Sequence, residues 1–179
     1  MKMDAKILMI AISLSSLLFL LIMPLGKDSR QSCLAQRTVP QEVKEVEVDI
    51  EPGFCPNPLN GKNHGVLTVA ILGTEDLDIT DIDPKSVRLE EVTPIQYRRR
   101  DVSTPVTNRQ DVCDCTIEGK DGIDDLVLSF DISKIVSTLG GVGDGDVAVL
   151  TITGKLLNGT LIEGEDCVII RKSSSEDEE

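Results

Sequence analysis

The chain has 179 residues and a formal net charge of −13, from 31 acidic and 18 basic side chains. This balance argues against nucleic-acid binding, which needs clustered lysine and arginine to neutralise phosphates. The one basic cluster, Arg98 to Arg100, is predicted to be a solvated strand end. Aromatic residues make up 2% of the sequence and tryptophan is absent, which argues against a carbohydrate site built on aromatic platforms.

Residues 7 to 25 carry no charge, follow two lysines and precede a polar run with small residues near Ala35. This order is typical of a secretory signal. As a helix the segment would be about 28 Å long, just short of a typical hydrocarbon core. The sequence therefore predicts an N-terminal hydrophobic helix, either a cleaved signal within residues 1–35 or a retained membrane anchor. Both alternatives place the protein outside the cytoplasm, secreted or at the cell surface, with membrane contact only through an uncleaved segment.

Loss of residues 1–35 would remove Cys33 and leave an even number of cysteines, namely Cys55, Cys113, Cys115 and Cys167. In an oxidising compartment, four cysteines predict two disulfides. Cys113 and Cys115 are too close in sequence to bridge each other without strain. Each is therefore expected to pair with one of the two distant cysteines, in an order that the sequence leaves open. A four-thiolate zinc site is the alternative.

The first part of the mature chain is predicted to be a linker, residues 36–44, followed by a single domain over residues 45–172. Apolar residues alternate with acidic ones from Val46 to Glu51, the pattern of a half-buried strand with a charged outer face. The segment from Cys55 to Gly65 is rich in proline, asparagine and glycine. It is predicted to be an ordered loop that contains no strand.

The middle of the domain alternates between apolar segments and polar loops. Residues 65–73 are almost entirely apolar and predict a central strand buried on both faces. Short strands are predicted at residues 86–92 and 94–98. Residues 101–120 show no periodicity and carry two of the cysteines, so they are expected to form a long insertion held by disulfides.

The last part of the domain shows the clearest patterns. Residues 125–132 alternate as in a strand buried chiefly on one face, and apolar residues then recur with helical spacing over residues 132–139 before a glycine pair. Residues 146–154 predict another buried strand. Asn158-Gly159 lies between two apolar runs, which predicts a hairpin turn. The acidic residues 173–179 are expected to form a disordered tail. Together these elements favour an all-β antiparallel sandwich of immunoglobulin-like type, with a barrel as the alternative.

Four long stretches of the sequence resemble, in the same order, stretches of a known family of domains. They are Val48–Asn60, Gly65–Glu90, Asp121–Asp131 and Gly145–Ile170. With them, the chain resembles a poorly characterised domain of secreted and cell-surface proteins of archaea and bacteria. The resemblance implies an extracellular β-rich accessory module with no known catalytic activity. In many members, an Asp-x-Asn-x-Asp-Gly calcium loop precedes the Asp-Gly pair. This chain has Ile117 to Lys120 at that position, which departs from the pattern.

Two weak sites remain as hypotheses. Carboxylates near residue 120 could supply oxygen ligands to calcium, although a solvated acidic turn is the alternative. The candidate ligands are Glu118, Asp121, Asp124 and Asp125. Asn158-Gly159-Thr160 is an N-glycosylation sequon, although the hairpin requires the same Asn-Gly pair.

The sequence favours a non-catalytic module for adhesion, envelope structure or ligand binding, with a protein or envelope component as its partner. His64 is the only histidine and lies in a loop without a nucleophile motif, which argues against a hydrolase with a serine or cysteine nucleophile. The alternative is a secreted hydrolase that uses carboxylates of the loop at residues 113–125.

Overall fold

The computed structural model describes residues 42–60 and 65–172. The predicted N-terminal helix, most of the predicted linker, His64 and the acidic tail lie outside these residues. The described part contains nine strands, one α-helix and a short 3-10 helix at Ile79–Asp81. In chain order the strands and the α-helix are β1 Val43–Glu45, β2 Val48–Ile50, β3 Asn57–Asn60, β4 Val66–Ile71, β5 Arg88–Leu89, β6 Gln96–Arg100, β7 Asp125–Asp131, α1 Ile132–Thr138, β8 Val147–Lys155 and β9 Leu161–Arg171.

The strands form two sheets that pack face to face, which confirms the prediction of an all-β sandwich. One sheet has the order β2-β4-β7-β6, and every neighbouring pair in it is antiparallel. The other has the order β1-β9-β8-β5, and β3 also pairs with β9. The predicted antiparallel arrangement is confirmed for five of the seven strand pairs in the described part of the chain, whereas β1 and β3 run parallel to β9.

The N-terminal part of the domain changes sheets twice. Strand β1 pairs with residues 161–163 of β9, the chain then crosses to pair as β2 with β4, and β3 returns to residues 168–171 of β9. The crossing passes close to Gly164 of β9, where an added Cβ would lie 2.6 Å from Val48 Cγ2. Glycine therefore allows the two segments to approach each other. Strand β1 also begins at Val43, two residues before the predicted start of the domain.

Strand β3 corrects the prediction that the segment after Cys55 contains no strand. Its composition is that of a loop, yet Asn57 and Leu59 are buried on one face and the strand pairs along its length with β9. Pro58 is tolerated because an edge strand needs hydrogen bonds on one side only. Pairing with a strand more than 100 residues away leaves no trace in local composition.

The core lies between the two sheets and consists of aliphatic side chains around Phe130. Strand β7 was predicted to be buried chiefly on one face, but it is buried on both. On its outer face, Val127 packs with Ala70 and Leu72 beneath Val102. The first residues of the insertion thus cover an apolar surface that would otherwise face solvent.

The predictions for the C-terminal part were partly confirmed. Helix α1 has Asp131 as its N-cap, whose side chain accepts a hydrogen bond from the Ser133 backbone N–H at 2.9 Å. The hairpin between β8 and β9 forms at the predicted turn, with Gly159 at φ +92°. Strand β8 is less buried than predicted, because Val147 and Val149 are 58% and 42% exposed.

Candidate functional site

The insertion at residues 101–120 contains no helix or strand, as predicted, and two disulfides hold it. Cys113 pairs with Cys167 of β9, and Cys115 pairs with Cys55 in the segment before β3. The prediction that each member of the Cys-x-Cys pair reaches one distant cysteine is confirmed. The zinc alternative was wrong, since all four thiols are in disulfides. Two disulfides indicate an oxidising environment, as found outside the cytoplasm.

Asp125 fixes the start of the insertion. It is buried at the first position of β7, and its carboxylate accepts three backbone hydrogen bonds: from Gly73 N at 3.0 Å, Val102 N at 2.8 Å and Ser103 N at 3.3 Å. Burial raises the pKa of this carboxyl, although the hydrogen bonds oppose the shift. Asp125 thereby connects β7 to the loop after β4 and to the chain that leaves β6.

Asp49 lies in the middle of β2 and is also buried. Its carboxylate accepts a hydrogen bond from the Ser103 hydroxyl. Burial raises the pKa of Asp49 to about 6, opposed by that hydrogen bond and increased by the neighbouring carboxylates of Asp166 and Asp125. The charge of Arg109 acts in the opposite direction. A fraction of Asp49 therefore carries a proton near neutral pH.

Asp166, on β9, joins the two sheets. Its Oδ2 accepts hydrogen bonds from Ile50 N and Asn57 Nδ2, both at 2.8 Å, and its Oδ1 accepts one from Cys167 N at 2.7 Å. The Arg109 guanidinium lies 3.7 Å from Oδ1. Burial raises the pKa of Asp166, and these hydrogen bonds lower it in part.

Arg109 closes a gap along the edge of β9. Residues 161–163 of β9 pair with β1 and residues 168–171 pair with β3, which leaves a gap between them. In this gap, Arg109 donates to the Glu165 carbonyl at 3.2 Å, and the Asn57 amide donates to the Cys167 carbonyl at 2.9 Å. Arg109 also donates to the Val112 carbonyl at 2.7 Å. Side chains thus satisfy the strand edge where the backbone has crossed to the other sheet. They fix the insertion against β9 at the same time.

Two spaces border this network. An open groove of about 630 Å³ runs beside β1 and the 163–165 segment of β9, and Arg109 to Val112 form its other wall. A much smaller space, about 10 Å³, lies beside Asp49 and Asp166 under the insertion. That volume is no larger than one water molecule requires. The buried carboxylates therefore do not face a cavity of substrate size.

The four predicted calcium ligands serve different purposes. The carboxylate of Asp125 is used by three backbone N–H groups. Asp121 accepts a hydrogen bond from Ile123 N at 2.8 Å and so shapes the turn before β7. Glu118 contributes its backbone carbonyl to the Ser103 hydroxyl, at 3.4 Å, while Asp124 is exposed. Within residues 42–60 and 65–172, no group of three or more His, Cys, Asp or Glu residues is arranged to hold a metal ion.

Sequence reasoning missed Asp49, Ser103, Arg109 and Asp166. Asp49 stands between two apolar residues of a strand, so the alternating pattern placed it on a solvent-facing surface. The insertion covers that surface, and this covering has no local signature. The predicted glycosylation site Asn158 is exposed at the hairpin turn and accepts a hydrogen bond from Thr160 N at 2.9 Å.

Comparison of the chain with protein-family models, curated proteins and solved structures finds no match. Over the described residues, no helix has the length and apolar character needed to cross a membrane. The predicted hydrophobic segment at residues 7–25 lies outside that part.

Proposed function

We propose that the chain is an extracytoplasmic, non-catalytic module of immunoglobulin-like type that binds a protein or an envelope component. The single observation that carries the proposal is the insertion at residues 101–120, which two disulfides hold against the domain. Its twenty residues have no helix or strand and are held by two disulfides and by contacts to three buried aspartates. Some of its side chains, such as Ile117, are exposed at the surface. Long ordered loops in compact domains commonly serve recognition.

The strand order supports the immunoglobulin-like part of the proposal. Domains of that fold place strands A, B, E and D in one sheet and strands C, F and G in the other. Strand β2 then corresponds to strand A, and the strands β4 to β9 correspond in turn to strands B to G. With this assignment the order β2-β4-β7-β6 reads A-B-E-D and the order β9-β8-β5 reads G-F-C. Strands β1 and β3 are then two additional segments, and both pair in parallel with strand G.

The geometry favours binding over the alternative of a secreted hydrolase. A pair of catalytic carboxylates must converge on a space that admits substrate. Asp125 and Asp166 instead accept hydrogen bonds from backbone amides, and the space beside Asp49 has room for one water molecule at most. The buried carboxylates act as structural supports of the insertion.

The location is tested in the native host with the full chain carrying a C-terminal tag. A membrane-impermeant lysine reagent is applied to intact cells, and thiols are alkylated before and after reduction. We expect labelled protein in the medium or on intact cells, with four cysteines that react only after reduction. Protein that is protected from the reagent and carries free thiols at Cys55, Cys113, Cys115 and Cys167 would contradict the proposal.

The binding function is tested by sedimenting isolated cell envelopes with the tagged chain. Ile117 lies on the insertion and is 70% exposed, and Leu157 lies on the hairpin and is 72% exposed. These residues provide a matched pair, because each substitution by aspartate removes one exposed aliphatic side chain and adds one charge. We expect saturable retention that Ile117→Asp weakens and Leu157→Asp leaves unchanged. Equal retention of both variants and wild type would show that the insertion is not the binding surface.

A further inference from the structure

Strand β6 lies at the edge of its sheet. It pairs with β7 alone, and all five of its residues are exposed. No other strand of the described residues lies against its second edge. Such an edge presents unpaired backbone N–H and C=O groups, which are the groups that an additional strand needs.

Three consecutive arginines, Arg98 to Arg100, occupy this edge. Their backbone pairs with β7, but none of their side chains forms a hydrogen bond or an ion pair with another described residue. Arg99 is near enough to Asp78 to contribute to the lowered pKa of that carboxyl, after the larger effect of hydrogen bonds from Thr80. The chain has 31 acidic side chains, yet three consecutive arginine side chains of this strand form no ion pair within the described residues.

An apolar groove continues directly from the arginines. Ile95 and Tyr97 are 61% and 50% exposed, and Tyr97 is the only tyrosine of the chain. The groove has a volume of about 440 Å³. Its lining residues are Pro84, Lys85, Thr93, Pro94, Ile95, Gln96 and Tyr97. Apolar contact surface, cationic side chains and a free backbone edge therefore occur along one strand.

We propose that β6 binds an extended segment of a partner protein that combines acidic and apolar residues, and that this segment adds as a fifth strand to the β2-β4-β7-β6 sheet. Carboxylates of the segment pair with Arg98 and Arg100 on one face of β6, and its apolar side chains enter the groove beside Tyr97 on the other face. Backbone pairing supplies affinity and the side-chain contacts supply selectivity. At physiological salt, screening over about 8 Å limits repulsion from distant acidic residues of this chain.

A peptide explains more of the surface than another polyanion does. A sulfated polysaccharide would engage the arginines but would leave the backbone hydrogen-bonding groups of β6 without partners. The inference goes beyond the proposed binding function, because it assigns a second surface and a partner class that do not depend on the insertion.

The test uses a fluorescein-labelled peptide of eight residues in which glutamate and valine alternate. Its binding to the full chain, purified in a non-ionic detergent, is measured by fluorescence anisotropy. We expect the double variant Arg98→Glu with Arg100→Glu to bind at least about tenfold more weakly, since several charge contacts are lost together. The matched control, Arg171→Glu with Lys172→Glu, makes the same charge change at two exposed positions at the end of β9, in the other sheet, and should alter the affinity by less than about twofold.

A second peptide carries N-methyl groups on alternate amides and so cannot pair as a strand. We expect it not to bind. Equal binding of both peptides, equal weakening by both double variants, or dextran sulfate binding with the peptide inert would each overturn the inference. Envelope retention of the Arg98→Glu, Arg100→Glu chain is measured in parallel, which separates a failure of this surface from a failure of the proposed binding function.

Discussion

Replacing Asp49 by asparagine should stabilise the protein at neutral pH. Asp49 is buried, and the transfer of its carboxyl from water raises its pKa from 3.8 to about 6. A carboxyl whose pKa is higher in the folded than in the unfolded protein destabilises the fold at pH values above the folded pKa. That destabilisation disappears as the pH falls below the unfolded pKa. Asparagine carries no charge at any of these pH values and can keep a hydrogen bond with the Ser103 hydroxyl.

The size of the effect follows from the change in pKa. A rise from 3.8 to about 6 corresponds to about 3 kcal/mol of destabilisation at pH 7.5. A poorer hydrogen bond from asparagine offsets about 1 kcal/mol of the gain. We therefore expect Asp49→Asn to raise the free energy of unfolding by about 1–3 kcal/mol at pH 7.5, and the two proteins to converge near pH 4.5. A residual slope of the same sign should persist in the variant, because burial also raises the pKa values of Asp125 and Asp166.

The assay is denaturation by guanidinium at several pH values between about 4.5 and 7.5, with the disulfides intact. The lower limit keeps the assay above the range in which hydrogen-bonded exposed carboxyls with lowered pKa values become protonated, namely those of Asp78, Asp114 and Asp131. Asp76→Asn, an exposed carboxylate, is the control. A variant that is less stable than wild type at pH 7.5, or whose pH dependence is identical to wild type, would refute the reasoning.

Three further predictions concern packing, covalent links and the guanidinium network. Gly164→Ala should lower the free energy of unfolding by about 1–3 kcal/mol, because a Cβ would collide with the crossing between β1 and β2. Gly119→Ala has open space around it and should be close to neutral in the same denaturation measurement. Replacing both Cys55 and Cys115 by serine should cost about 2–5 kcal/mol, measured as the loss of thermal stability relative to the oxidised protein. Arg109→Lys should lower the free energy of unfolding by about 1–3 kcal/mol, because one ammonium group cannot donate to both the Val112 and Glu165 carbonyls. Unchanged hydrogen exchange along β9 would contradict this role.

Local patterns predicted the elements that depend on neighbours in sequence. Helical spacing after residue 132 and the following glycines specified α1, and Asn158-Gly159 specified the hairpin between β8 and β9. The cysteine spacing was enough to predict which thiols could not pair with each other, since that is a question of short-range geometry.

Pairing over long sequence distances was not predictable in this way. Strand β3 looks like a loop until it is placed beside β9, and the hydrogen bond from Ile50 N to Asp166 joins residues 116 positions apart. The candidate site depends on such contacts throughout. Asp49 and Asp166 are ordinary strand residues in the sequence, and they are buried because distant segments, including the insertion and β3, lie against them.

The sequence by itself determined the class of elements, the acidic surface and the set of cysteines that form disulfides, because periodicity, charge and spacing act over a few residues. Only the tertiary structure decided which sheet each strand joins, that β1 and β3 run parallel to β9, and that three aspartates become buried supports of the insertion. The physical reason is that burial and strand pairing depend on which distant segments meet. The exposed β6 edge depends on both the sequence and the fold. Its arginines can be read from the sequence, but its lack of a neighbouring strand is a property of the folded sheet.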